Sequence, residues 1–137
     1  MKKIIILIIL LLTGCSNNLY DEYVNLLKNT NTFSEELPFD INFYIDSVNE
    51  ERIIYQVIID NSKINLSDVK ALVIHDAYTT DIYPSIGILD DTTSLSEDNK
   101  GIILIGYANK TKDINFKVLV ETNNNKYFYS YNYWQII

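Results

Sequence analysis

The chain has 137 residues, 18 of them acidic and 11 basic, with one cysteine and one histidine. Its first fourteen residues, which read as a leader, contain Lys2 and Lys3 and no acidic residue, so the remainder holds nine basic side chains against 18 acidic ones, a net charge of about −9. That charge repels phosphodiesters and anionic headgroups, which disfavours nucleic-acid binding and charge-driven membrane binding, and no nucleic-acid partner is expected. A single cysteine excludes an internal disulfide, so a domain of roughly 120 residues must be held by core packing alone.

At the N-terminus, Lys2 and Lys3 precede an apolar run over residues 4–12, the charge order of an export signal. Nine residues at about 1.5 Å each reach about 14 Å, against a hydrocarbon core of about 30 Å. The run is too short to span. It ends in Leu12, Thr13, Gly14 and Cys15, a stretch that resembles the lipobox of bacterial lipoproteins. The resemblance covers only the first fifteen residues. It implies cleavage between Gly14 and Cys15, a diacylglyceryl group on the Cys15 sulfur, and anchoring on the outer face of a bacterial cell membrane. Two acyl chains, at about 0.8 kcal/mol per buried CH₂, hold a soluble domain stably where one does not. The expected organisation is a signal peptide over 1–14, a lipidated N-terminus with a short helix and linker over 15–38, and a folded domain over 39–137.

The helix is expected just past Asn17 or Asn18, with Asp21 and Glu22 in its first turn and Lys28 in its last, as the helix dipole prefers. Leu19, Tyr23, Leu26 and Leu27 fall on one face, which predicts packing against the domain; the acidic polar face argues against a membrane-lying helix. Residues 29–38 read as a turn-rich connection. Phe39, Ile41, Phe43 and Ile45 then alternate with polar residues, the period of a half-buried strand.

Asn49 and Glu50 make the next turn. Residues 52–60 are apolar on both faces and predict a central, well-covered strand, and residues 69–75 read similarly. A weaker run over 83–89 starts beside Pro84, which belongs at an edge or a strand start. Clear strands follow over 101–107, 114–121 and 126–134, the last two joined as a hairpin through Asn123, Asn124 and Asn125. About seven short strands in a hundred residues predict a mostly β fold, an antiparallel immunoglobulin-like β-sandwich. Similar modules form the exported part of small lipoproteins of Gram-positive bacteria, and the heavy use of Ile, Asn and Tyr fits such a source.

The residues that carry chemistry are few. His75 is the only histidine, Cys15 is assigned to the lipid, and no G-x-S-x-G elbow occurs. His75 and Asp76 are neighbours on a strand and point to opposite faces, so no catalytic residue is expected. Asp76, Asp81, Asp90, Asp91, Glu97 and Asp98 gather between strands but lack the order of a calcium loop. One histidine without a free cysteine makes a poor zinc site. No metal or cofactor is expected. Asn65-Leu66-Ser67 and Asn109-Lys110-Thr111 match the glycosylation acceptor pattern by chance.

The last strand places Tyr127, Tyr129, Tyr131 and Tyr133 at every second position, lining one face. With Phe128 and Trp134 turned inward, that face is expected to be half exposed and is the candidate binding surface; cross-strand pairing is the alternative use of these rings. The expected role is a non-enzymatic interaction module of the cell envelope, held by the lipid on Cys15 and contacting an envelope protein or cell-wall polymer. The alternatives are a protective lipoprotein that blocks a basic toxin or wall hydrolase, and a small metal-dependent accessory or enzyme.

Overall fold

A computed structural model describes residues 18–77, 85–89, 93–98, 101–111, 113–123 and 125–134. Helix α1 (Asn18–Lys28) is followed by strands β1 (Asp40–Ser47), β2 (Arg52–Asp60), β3 (Lys70–His75), β4 (Ser85–Ile88), β5 (Ile102–Asn109), β6 (Asp113–Glu121) and β7 (Lys126–Trp134). All strand pairs are antiparallel, in a three-stranded sheet of order β1-β2-β5 and a four-stranded sheet of order β4-β3-β6-β7. This is the expected immunoglobulin-like sandwich, with the fourth strand placed beside the third rather than in the first sheet.

Side-chain alternation builds the core. Ile53, Tyr55, Val57 and Ile59 of β2, with Ile102 and Leu104 of β5, face Ala71 and Val73 of β3 and Ile114, Phe116, Val118 and Val120 of β6. Turn chemistry closes the hairpins. The Asn49 side-chain oxygen accepts from the amides of Glu51 and Arg52 at 2.8 and 2.9 Å, the local bond that favours Asn in turns. Gly101 enters β5 at φ +81° with its Cα against the Ile59 carbonyl, where a side chain would meet backbone.

A third layer covers the four-stranded sheet. Leu27 of α1 is fully buried with Leu72, Ile74 and Leu119, and Tyr23, Val24 and Phe128 pack around them. The helix is docked by polar contacts as well. The Tyr23 hydroxyl donates to Glu121 at 2.7 Å, and the Lys117 ammonium donates to the carbonyls of Lys28 and Thr30 at 3.0 and 2.8 Å, placing a cation at the negative end of the dipole. Beyond α1, the turn-rich segment runs beside β7, where the Ser34 amide donates to the Phe128 carbonyl at 2.9 Å and its hydroxyl accepts from the Phe128 amide at 3.0 Å.

This layering corrects one expectation. β3 is buried on both faces, as its pattern requires, because α1 covers the side turned away from the core. β2 is buried on one face only; its outer residues Ile54 and Ile58 are half-buried and carry no covering layer among the described residues. Both strands are apolar on two faces, and only the position of the helix separates them. The strand expected over 83–89 is described from Ser85, and Pro84 lies outside the described residues.

Candidate interaction surface

Gly14 and Cys15 lie outside the described residues, as do Asp81, Asp90 and Asp91. The tyrosine stripe of β7 is described in full and is turned toward the core. Tyr131 stacks on Phe43 with ring centroids 4.5 Å apart and planes at 10°, Tyr129 stacks on the same ring at 6.4 Å, and Tyr127 meets Phe39 edge-on at 5.3 Å. These rings close the sandwich between β1 and β7, and all four tyrosines are half-buried against the core. The orientation differs from the expected one: Phe128 faces α1 and Trp134 is 56% exposed. The helix attracts Phe128 to the outer face, which leaves the phenols to line the inner one.

His75 sits in the core against Tyr55 and Phe116, at centroid distances of 5.4 and 5.7 Å. It is 1% exposed; Nδ1 accepts from the Ala77 amide at 3.1 Å, and Nε2 makes no well-aligned hydrogen bond among the described residues. Burial lowers its pKa, against smaller opposing pulls from the Tyr107 backbone and the Asp76 charge. Burial likewise pushes the Tyr55 phenol up to about 12, with the Tyr20 phenol adding to the rise. Both rings stay neutral near pH 7 and fill space. Asp76 is engaged structurally, accepting from the backbone and side-chain amides of Asn115 at 2.9 and 2.8 Å. Among the described residues no three His, Cys, Asp or Glu side chains gather where they would hold a metal ion.

The most exposed apolar surface belongs to the outer face of the three-stranded sheet. Strand register sets its rows: Asp46, Ile54 and Tyr107; Tyr44, Gln56 and Ile105; Asn42, Ile58 and Ile103. Tyr44 is 55% exposed, Ile103 47%, Ile105 52% and Tyr107 59%. The face is graded across its width. β5 supplies Ile103, Ile105 and Tyr107 with Asn109 at its end, β1 supplies Asp40 and Asp46, and Arg52 and Asp60 stand at the two ends of β2. A cluster of outward aliphatic and aromatic side chains bordered by charge is the anatomy of a protein contact surface.

Reasoning from sequence missed this face. Its signal was present in β5, where Ile103, Ile105 and Tyr107 alternate with the equally apolar Ile102, Leu104 and Gly106. A strand apolar on both sides is read as covered on both sides, and here one cover is missing among the described residues. No family model, curated protein or solved structure matches the chain. The class these observations define is an acidic immunoglobulin-like β-sandwich with one helix-covered sheet and one open, apolar sheet face.

Proposed function

We propose that the protein is a lipid-anchored lipoprotein of the extracytoplasmic membrane face, acting as a non-enzymatic binding module whose contact surface is the outer face of the β1-β2-β5 sheet. The observation that carries the contact surface is the exposure of Ile103, Ile105, Tyr107 and Tyr44 on one face. Burying a large aliphatic side chain contributes about 1.5–3 kcal/mol, so leaving several in water is a standing cost that a partner removes. The leader and the lipobox-like residues 12–15 support the anchor. The carboxylates of Asp40, Asp46 and Asp60 on the same face favour a partner with basic groups around an apolar centre, and they equally support the second reading, a protective lipoprotein that masks a basic toxin or wall hydrolase.

A photo-crosslinking amino acid placed at Tyr107 in living cells should yield a discrete adduct with another envelope component, and the same group at the exposed Lys63 should not. Adducts of equal yield from both positions, or from neither, would contradict the assignment of the face.

A further inference from the structure

The helix that covers one sheet also fixes where the proposed anchor leaves the domain. Only Ser16 and Asn17 stand between Cys15 and the first residue of α1, Asn18. Three backbone steps of at most about 3.6 Å each place Cys15 within about 11 Å of Asn18, whatever path the chain takes. The helix is held to its sheet at several points. Leu27 is fully buried with Leu72, Ile74 and Leu119, and the Tyr20 hydroxyl of the first turn donates to the Ser85 carbonyl at 3.0 Å. α1 therefore begins over β4, an edge strand of the four-stranded sheet.

The open face lies on the other side of the molecule. Packed sheets stand about 10 Å apart, and a helix with its side chains is about 10 Å across, so the α1 layer is about 20 Å from the middle of the β1-β2-β5 sheet. The outward tips of Tyr44 and Ile105 are farther still. For that face to rest on the bilayer holding the acyl chains, Asn18 would have to stand more than about 20 Å above the headgroups. A connection of about 11 Å does not reach. Within the open sheet the strands differ in their distance from the anchor. β5 adjoins β4, where Ile86 meets Gly106, whereas β1 closes against β7 through Phe43 and Tyr131. Two strand spacings, about 10 Å, separate β1 from β5.

We infer that the first turn of α1 and the β4 edge form the membrane-proximal end of the domain, that β1 is the strand farthest from lipid, and that the open face is presented to a protein arriving from the side away from the membrane. This orientation rests on the lipid anchor proposed at Cys15, and it excludes the lipid of that membrane as the cover of the open face. Charge agrees with it. Asp40 and Asp46 on β1 stand more than two Debye lengths, each about 8 Å at physiological salt, from the headgroups. The exposed Asp21 and Glu22 in the first turn of α1 oppose burial in hydrocarbon and keep the helix at headgroup level.

The test is fluorescence quenching in phosphatidylcholine vesicles whose headgroups carry a nitroxide. Cys15 is the only cysteine, so in the acylated protein an introduced cysteine is the sole free thiol for a fluorophore. Leu19→Cys and Tyr44→Cys place it at positions 49% and 55% exposed. Should Tyr44→Cys fail to fold, Asn42→Cys, exposed on the same strand and face, replaces it. The expected result is a marked loss of fluorescence at Leu19→Cys and none at Tyr44→Cys. Equal loss at both positions, a greater loss at Tyr44→Cys, or no loss at either would overturn the orientation. Intact mass and flotation with the vesicles, measured on the same samples, separate the two readings: a chain without acyl groups that does not float overturns the anchor and the orientation together, whereas an acylated, floating chain with the wrong quenching pattern overturns the orientation alone.

Discussion

His75 shows how one residue's chemistry is set by its layer. It lies between the sheets, 1% exposed, and burial holds its pKa below the ordinary value of about 6.5. The folded state therefore takes up a proton less readily than the unfolded chain. The resulting stability is fully present above about pH 6.5 and is lost as pH falls from there through the lowered folded value. Urea unfolding at several pH values between 7 and 5 should show the wild type losing stability across that window, and His75→Phe should flatten the dependence whatever it costs at pH 7. Equal slopes for the two proteins would contradict a neutral, buried His75. That His75 closes a strand, with Asp76 turned to the opposite side, was legible in the sequence. The rings that enclose it, Tyr55 and Phe116, come from strands 20 and 41 residues away along the chain and were not legible.

At the scale of elements, period-two patterning located the strands because it is set locally by the pleat, and turn residues such as Asn49 set the breaks. What covers a strand is a tertiary property. β2 and β3 have similar two-sided apolar patterns, yet α1 lies on β3 and leaves the outer face of β2 open among the described residues. The same cause reversed the reading of β7, where Phe128 turns to the helix and the tyrosines turn to Phe39 and Phe43. Leu27 is the anchor of that helix, fully buried against Leu72, Ile74 and Leu119. Leu27→Ala should lower unfolding free energy by about 2–5 kcal/mol, the usual range for a large-to-small core change. Leu19→Ala, at a position 49% exposed on the same helix, should change it by less than about 0.5 kcal/mol. Chemical denaturation of the two variants reads both values, and equal losses would mean that α1 does not dock as described.

For the whole molecule, packing replaces disulfides. The sandwich buries its apolar residues between two sheets and beneath one helix, so a chain with one cysteine has no need of an internal bridge. Fold class was legible because seven patterned strands fit few architectures. The candidate surface was not, because β5 is apolar on both faces and its pattern alone does not show which face stays open. Function does not follow from the sandwich itself, which serves many roles; it rests on the open face of the β1-β2-β5 sheet and on the proposed anchor. The proposed anchor would hold the acidic domain beside a membrane that its charge would otherwise avoid.

Intact-mass analysis of the protein recovered from the membrane fraction tests that claim most directly, with Cys15→Ala carried in parallel. The account predicts a chain that starts at Cys15 and bears a diacylglyceryl group, with neither the cleavage nor the lipid in Cys15→Ala. A full-length, unacylated wild-type chain beginning at Met1 would contradict it.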